Sequence, residues 1–355
     1  MEKALLKHGS YYQYLDSLRG IAIVLVILHH VSLHFPGLQT DALAEILVRI
    51  GWSGVDIFFA ISGFLITKIL LEANTRRDIK RFFIKRFFRI VPLYFTAILI
   101  YYIFGTILHD ANISRLWMST LFLTGWALPF LGREAMAYVI TWSLSVEESA
   151  YLCFGFIATL GRQWFTRILF GLIVLALLLR WLIVTGGWFE LQNVYYFPPT
   201  RIDSIAFGGL VALNIIKGAR GWRPVVMIGL LVVLLYYWLY QMGQYDSNVA
   251  IFGYTALAFT AALVVAYAIK IPNGSNPLVR ILTHIGQRSY FVYLMHVFVI
   301  GAAGLSVFSG VVAAIGYWGL VACIVLATMI MAEFSWRYFE YPLICFGRKI
   351  ASSVR

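Results

Sequence analysis

The sequence predicts an all-α polytopic membrane protein, because it is strongly apolar and its apolar runs are long. Of its 355 residues, 61% are hydrophobic and only 12% are charged. Apolar runs of about 18 residues or more recur along the chain, which is the length that a helix needs to cross a bilayer. These runs are too long and too weakly alternating for the strands of an outer-membrane barrel.

Eleven apolar segments are candidate helices, and we predict that ten of them are membrane spans. The exception is 116–131, which is short and contains Gly125 and Pro129. It lies between two basic loops that an even number of crossings must separate if both are cytoplasmic. We therefore expect this segment to be re-entrant or interfacial. The candidates are 15–34, 53–71, 93–108, 116–131, 143–160, 165–185, 200–216, 223–241, 249–269, 287–306 and 311–333.

The charge distribution predicts the orientation of the chain. The formal net charge is +12, and the basic residues crowd short loops between spans. This pattern is typical of the positive-inside rule and does not call for a nucleic acid partner. We expect one membrane-embedded domain over 1–355, without a cleaved signal peptide or a disulfide framework. The segments predicted to be cytoplasmic are the N-terminus 1–14, a basic loop 72–92 and the tail 337–355.

The first apolar run carries two ionisable residues, Arg19 and His30, on one helical face. His30 comes eleven positions after Arg19, which is close to three helical turns and ~16 Å along the axis. Asp16 lies three residues before Arg19 and can pair with it. Interfacial snorkelling and interhelical hydrogen bonds would explain each residue alone. A pair on one face, with His30 deep in the span, favours a functional site.

A basic amphipathic helix is predicted over 76–92, with seven basic residues against one acidic residue. We expect it to lie on the inner leaflet and to end at Pro92. Two interpretations are open. The helix is either an electrostatic anchor alone, or a site where guanidinium groups bind phosphates in bidentate fashion. The candidate phosphate ligands are Arg81, Lys85, Arg86 and Arg89.

Ionisable and hydroxyl side chains also enter later apolar segments. Glu147 lies at the start of a predicted span, where a carboxylate is costly unless it is paired or protonated. We expect it at an outward-facing substrate cavity, where it orients the histidine or holds a substrate. Pairing within the bundle is an open alternative for each of these residues. The supporting candidates are Asp16, Asp56, Ser143, Tyr293 and His296.

Taken together, these segments resemble the acyltransferase-3 family of integral-membrane acyltransferases, over about 10–345. One departure is Ala150, where the family often has Phe. The segments that carry the resemblance are R-x10-H (Arg19 to His30), G-V-D-I-F-F-A-I-S-G-F-L-I (54–66), R-F-F-R-I-V-P-L-Y (86–94), W-S-L-S-V-E-E-S-A-Y (142–151) and S-Y-F-V-Y-L-M-H (289–296).

The resemblance implies acyl transfer across a membrane. An acyl-CoA donor, commonly acetyl-CoA, is used from the cytoplasmic side, and a hydroxyl of an extracytoplasmic or lipid-linked glycan accepts the acyl group. Arg19 and His30 match the paired residues of the family's first span. Arg86 and Arg89 match the basic motif of the inner loop. Some relatives carry an additional hydrolase-like domain, which we do not expect in this chain.

The candidate catalytic residues are therefore His30, Glu147 and Arg19, and no metal is expected. Histidine has a pKa near neutrality, so His30 is suited to remove a proton from a hydroxyl. Arg19, or a serine or tyrosine of 289–293, would stabilise the oxyanion. The expected location is a bacterial inner membrane. A transporter or exporter of a small anionic or acylated solute is the alternative, because buried charges and broken helices also occur in transporters.

Overall fold

The computed structural model describes residues 12–38, 41–73, 75–218 and 221–354, without the side chains of Arg162 and Trp222, and the regular secondary structure of these ranges is helical. The α-helices found there are α1 (Gln13–His34), α2 (Ala42–Gly51), α3 (Gly54–Glu72), α4 (Arg76–Ile107), α5 (Leu116–Thr120), α6 (Thr124–Leu131), α7 (Trp142–Ala158), α8 (Arg162–Gly186), α9 (Leu191–Val194), α10 (Pro198–Ala212), α11 (Trp222–Met242), α12 (Tyr254–Ala268), α13 (Pro277–Ala303), α14 (Ser309–Ser335) and α15 (Tyr341–Ser353).

Seven helical stretches of the described chain are long and apolar enough to cross a membrane. This finding confirms the predicted class, an all-α multi-pass membrane protein. The stretches are Gln13–His34, Gly54–Glu72, Arg76–Ile107, Gln163–Gly186, Arg223–Met242, Val249–Ala268 and Ser306–Ser353.

Helix α4 is longer than predicted, because it continues through Pro92 instead of ending there. The expectation of a separate basic helix that stops at Pro92 is therefore wrong. A capping box between Thr75 and Asp78 starts the helix at its basic end. Beyond the proline, the buried side chains of Leu93 and Tyr94 anchor the second half. A proline costs a helix interior about 3 kcal/mol, and the packing of both halves against the bundle offsets that cost.

The segment 116–131 is broken into two short helices, α5 and α6. Phe122 between them has a left-handed backbone with φ of 58°. Neither piece is long enough to cross a bilayer, in agreement with the prediction that this segment is not a full span.

Helix α2 lies between the first two predicted spans, where the sequence analysis gives no candidate helix. Asp41 caps its N-terminus by accepting a hydrogen bond from the backbone N–H of Ala44 at 2.8 Å. This hydrogen bond to the charged form lowers the pKa of Asp41. The other carboxylate oxygen of Asp41 accepts from the indole N–H of Trp318 at 2.7 Å, which ties α2 to α14.

Helices α1 and α13 pack backbone against backbone at two glycines. A Cβ atom on Gly20 would overlap the carbonyl of Leu282, and one on Gly286 would overlap the carbonyl of Asp16. Small residues permit such close contact between membrane helices. The close approach fixes how α1 and α13 lie along each other, and therefore which side chains of the two helices meet further along.

Helix α10 is buried between α3 and α8 and is held by two ion pairs. Arg201 donates to Asp56 of α3 at 2.7 Å, and Arg180 of α8 donates to Asp203 at 2.8 Å. All four side chains are almost fully buried. Because buried charges are retained only when they are paired and hydrogen-bonded, these contacts fix the position of α10 in the bundle.

The bundle has two chemically different ends. The start of α1 meets the loop before α13, where the amide of Gly274 donates to the Gln13 side chain at 2.9 Å. Nearby, Lys68 at the end of α3 donates to Tyr12 at 2.8 Å. We call this the basic end, because the positive loops of the sequence lie here. The far end is formed by the last turns of α1, by α2 and by the loops around 133–140 and 244–245.

Candidate active site

A cavity of about 300 Å³ opens at the far end of the bundle. Nine aromatic side chains contribute to its wall, together with three histidines and one arginine. No Asp or Glu is among its described lining residues. The polar side chains of the wall include His29, His30, His34, Arg133, Tyr245 and Tyr293.

His30 reaches the cavity from the fifth turn of α1 with its ring orientation fixed. Its Nδ1 atom lies 2.8 Å from the carbonyl oxygen of Val26. A carbonyl oxygen only accepts, so Nδ1 carries the proton and Nε2 keeps its lone pair. The neighbouring His29 is anchored in the same way, 3.1 Å from the carbonyl of Val48. The local hydrogen bond therefore selects the tautomer of His30 that can act as a base.

His296 of α13 lies beside His30, with ring centroids 4.9 Å apart. It is completely buried, and its Nδ1 atom donates to the carbonyl of Tyr293 at 2.7 Å. Its Nε2 atom has no hydrogen-bond partner among the described residues. The two imidazoles meet because α1 and α13 are locked together at Gly20 and Gly286.

Tyr293 and Ser143 connect this pair of imidazoles to α7. The Tyr293 hydroxyl lies 2.6 Å from the Ser143 hydroxyl and donates to the carbonyl of Ile140 at 2.8 Å. Tyr293 lines the cavity, whereas Ser143 supports it from behind. The sequence-predicted residues His30, His296, Tyr293 and Ser143 are thus brought together.

Glu147 is placed elsewhere, in a charge cluster with Arg86 of α4. The Arg86 guanidinium donates to Glu148 at 2.7 Å and lies 3.9 Å from Glu147. It also stacks on the ring of Tyr151, 3.1 Å from the ring centroid. Glu147 does not line the cavity, and the ring of His30 is oriented by Val26 instead. The expectation that Glu147 orients His30 is therefore not supported by this geometry.

The basic side chains of α4 differ in whether they have a hydrogen-bond or ion-pair partner among the described residues. Arg81 donates to the carbonyl of Val354 at 3.0 Å and lies 3.7 Å from Asp78. Lys85 and Arg89 are exposed, and neither makes an ion pair or side-chain hydrogen bond with a described residue. Their spacing of four residues places them on one face of the helix.

Arg19 forms the expected ion pair with Asp16, at 2.9 Å. Arg86 is likewise paired with acidic side chains, so Arg89 is the arginine of this group without an ion pair to a described residue. None of them lines the cavity. With ~16 Å of helix between Arg19 and His30, Arg19 is too far away to contact a group that reacts at His30.

Asp56 has a structural position. One of its carboxylate oxygens accepts from Arg201 at 2.7 Å and from the Ser204 hydroxyl at 2.9 Å, and the side chain is buried below the cavity floor. The guanidinium of Arg201 also lies over the rings of Tyr195 and Tyr254, 4.7 and 4.6 Å from their centroids. Because Tyr195 lines the cavity, Asp56 supports the wall without reaching it.

The sequence analysis missed Arg133 and Tyr245. Both lie in loops between helices, where no periodic pattern points inward. Burial raises the pKa of the Tyr245 phenol above its usual value, so this hydroxyl stays protonated as a donor in the cavity. The only sequence signal for Arg133 was its place in a polar stretch after a broken helix. Within the described chain, no cluster of three or more His, Cys, Asp or Glu side chains is arranged to hold a metal ion.

These features define a multi-pass helical membrane protein with a histidine cavity at one end and an arginine cluster nearer the other. The chain belongs to the acyltransferase-3 family, because the family model described as "Acyltransferase domain" matches residues 12–333. This match confirms the resemblance drawn from the five sequence segments.

Three curated relatives are similar over most of the chain. The Peptidoglycan O-acetyltransferase OatA of Listeria monocytogenes is 27% identical over 93% of this chain and 55% of its own length. The Putative peptidoglycan O-acetyltransferase YrhL of Bacillus subtilis is 26% identical over 95% and 55%. The Putative acetyltransferase ORF330 of Acidianus two-tailed virus is 27% identical over 79% and 80%. The chain thus spans about half the length of the two bacterial relatives. No solved structure matches.

Proposed function

We propose that this protein is an O-acyltransferase that moves an acyl group, most simply acetyl, from acyl-CoA to a hydroxyl of an extracytoplasmic or lipid-linked glycan. The observation that carries the proposal is His30, which faces a cavity with its Nδ1 proton anchored and its Nε2 lone pair available. Two relatives bear the names of peptidoglycan O-acetyltransferases, which supports a glycan acceptor. Membership of an acyltransferase family favours the enzyme over the transporter that the sequence left open.

In this proposal, Nε2 of His30 takes the proton from the acceptor hydroxyl as its oxygen attacks the thioester carbonyl carbon. The resulting oxyanion collapses, the carbon–sulfur bond breaks, and the proton on the imidazolium passes to the departing sulfur, which leaves as a thiol. Tyr293 lines the cavity and is the candidate oxyanion donor that lies nearest to His30, provided that its hydroxyl turns from the Ile140 carbonyl to the oxyanion. His296 packs against His30 and holds its ring in place.

The donor would approach from the basic end. Lys85 and Arg89 are exposed cations of α4 that make no ion pair or side-chain hydrogen bond with a described residue, so we propose that they bind the CoA phosphates. Arg81 and Arg86 then flank this site, with their guanidinium groups already engaged. The pantetheine arm would extend from there towards His30, and the bundle must open between the arginine cluster and the cavity for the thioester to pass.

The acceptor would enter at the far end. Aromatic rings form flat apolar surfaces on which a sugar ring can pack, while the tyrosine hydroxyls and Gln244 offer hydrogen bonds. A cavity of about 300 Å³ is large enough for part of a glycan but not for a long chain.

We further propose ten spans, a re-entrant or interfacial 116–131, and a cytoplasmic location for both termini, for 72–92 and for 337–355. Helices α7, α10 and α13 would add three spans to the seven that their length and apolarity identify. The positive loops at the basic end support a cytoplasmic position for that end, in a bacterial inner membrane.

The test is acyl transfer by purified protein in lipid nanodiscs, with acetyl-labelled acetyl-CoA as donor and N-acetylglucosamine oligosaccharides as acceptors. We expect labelled glycan with the wild type and a loss of about 10²-fold or more with His30→Asn, in the range typical of a general base. The matched control is His109→Asn in an exposed loop with φ of 55°, which Asn tolerates. Near-normal transfer by folded His30→Asn would reject the assignment of His30.

The transporter alternative gives a different result in sealed vesicles. There, solute uptake would be independent of acetyl-CoA and no label would reach the glycan.

A further inference from the structure

Arg133 is the only permanently charged side chain among the described residues that line the cavity. It is half-buried, and its guanidinium makes no hydrogen bond or ion pair with a described residue. The described residues of the lining include no carboxylate to neutralise it. A partly desolvated cation without a counter-ion is costly, and such a group is typical of a binding site whose ligand supplies the opposite charge.

The backbone that carries Arg133 is held in a defined position. Gly132 before it has φ of 77°, a left-handed conformation that glycine adopts without strain. Two side chains of the preceding segment bond the same turn. Arg115 donates to the carbonyl of Ala135 at 3.0 Å, and Asn112 donates to the carbonyl of Glu134 at 2.8 Å. The turn therefore presents the Arg133 guanidinium to the cavity from a braced loop.

Arg133 lines the same cavity as His30. His29, the neighbour of His30, and the phenol of Tyr245 line this cavity as well. A ligand group bound by Arg133 would consequently lie in the same cavity as the hydroxyl that His30 deprotonates.

We propose that Arg133 is a specificity residue that binds a carboxylate of the acceptor glycan. This inference rests on the proposed acyltransferase function and names its acceptor class, a glycan with a carboxylate near the hydroxyl that is acylated. One guanidinium matches one singly charged, planar carboxylate by a bidentate contact. A diphosphate would call for more cations than this cavity contains.

The test is a binding titration in the absence of any acyl donor. Binding is monitored by tryptophan fluorescence, to which Trp52 and Trp142 in the cavity wall contribute. The ligands are chitobiose, chitobiose with one O-carboxymethyl group, and the methyl ester of that compound, which has the same bulk without the charge. We expect the wild type to bind the acid about tenfold more tightly than the other two, because hydrogen bonds between charged groups exceed neutral ones.

In Arg133→Gln, the three ligands are expected to bind with nearly equal affinity. Arg133→Lys keeps the charge but loses the bidentate contact, so we expect it to retain part of the preference. The matched control is Arg49→Gln, an exposed arginine of α2 that does not line the cavity. Equal affinities in the wild type, an absence of saturable binding, or a preference that survives Arg133→Gln would each overturn the inference.

A transfer assay with the same ligands separates this inference from the proposed function. In Arg133→Gln, a rise in KM for the acidic acceptor that is about tenfold larger than any change in KM for chitobiose supports both. Acetylation of acid and ester with equal efficiency by the wild type overturns the role of Arg133 and leaves the transferase standing. Charge-selective binding without any acetyl transfer supports the role of Arg133 and overturns the proposed transferase.

Discussion

His30 and Arg86 show that an ionisable side chain in a membrane bundle is defined by its partner. Among the described residues, the side chain of His30 hydrogen-bonds only a backbone carbonyl of its own helix, so the second nitrogen of its ring is available as a base. Arg86 contacts two glutamates and a tyrosine ring, so its charge is already compensated. Both residues belong to segments that resemble the family, yet their environments point to a reacting group in one case and to a positioning contact in the other.

Substitution of Arg86 by Gln should destabilise the protein by about 1–3 kcal/mol, because Glu147 and Glu148 would lose their half-buried counter-charge. Thermal unfolding in detergent micelles measures this effect. The double variant Arg86→Gln/Glu148→Gln should recover much of the loss, because one unpaired carboxylate is gone. Arg77→Gln, an exposed arginine at the start of the same helix, is the control. Equal stability of the two single variants would show that Arg86 has no structural role.

Among the helices, two kinds of contact position the site. The glycines of α1 and α13 allow backbone contact, which aligns His30 with His296. Ion pairs hold α10 against α3 and α8, and the α3 pair lies under the cavity wall. Apolar side chains alone discriminate poorly between neighbouring helices in lipid, so small residues and buried polar pairs decide which helices adjoin.

Substitution of Gly286 by Val should lower the yield of folded protein and the transfer activity together, because the new Cβ would overlap the carbonyl of Asp16. Overpacking of a core costs about 1–3 kcal/mol. Here the overlapping atoms belong to the backbone, which cannot move aside as a side chain can. Size-exclusion chromatography and thermal unfolding measure the effect. Gly171→Val on α8 is the matched control, since a Cβ there meets no atom within 4 Å. A folded, fully active Gly286→Val variant would contradict the close packing of α1 and α13.

Substitution of Asp56 by Ala should destabilise the protein by about 3–5 kcal/mol, because Arg201 would remain buried without its carboxylate. The exposed pair of Glu45 and Arg49, at 3.2 Å, supplies the control, and Glu45→Ala should cost at most about 1 kcal/mol. Denaturation monitored by tryptophan fluorescence compares the two. Similar losses in both variants would mean that the buried pair does not fix α10.

Across the whole molecule, the two ends of the bundle have separate chemistry. Cationic side chains gather at the basic end, whereas the far end offers aromatic rings and histidines. A reaction that joins a cytoplasmic anion to an outward-facing hydroxyl needs such a division, with the catalytic group between the two mouths. The cavity does not extend to Arg19, Arg86 or Arg89 in this conformation, so the proposed transfer would require a motion that opens the interior.

The proposed orientation predicts opposite labelling of two single cysteines. In a chain with Cys153, Cys323 and Cys345 changed to serine, Ala111→Cys should react with a membrane-impermeant maleimide added outside spheroplasts. Ser275→Cys should react only after the membrane is opened, because it lies in the loop before α13 at the basic end. Both positions are exposed. External labelling of Ser275→Cys would show that the proposed orientation is wrong, because the basic end would then face away from cytoplasmic CoA.

The helices themselves were largely predictable, because hydropathy and helical period are properties of neighbouring residues. The predictions from the sequence were wrong or incomplete where a tertiary contact outweighed a local preference. Pro92 is a helix breaker in isolation, yet packing on both sides keeps α4 continuous. Helix α2 is too short to be a span, so a search for long apolar runs does not find it, although Asp41 caps its N-terminus.

The sequence by itself determined the membrane class, the positions of the long helices and the common face of Arg19 and His30, since each follows from spacing along one segment. Only the tertiary structure decided the partners. It paired Glu148 with Arg86 across 62 residues, set His296 beside His30 and placed Arg133 in the cavity wall. Such contacts depend on how helices from distant parts of the chain pack against each other, and hydrophobic periodicity within one helix carries no information about its neighbour.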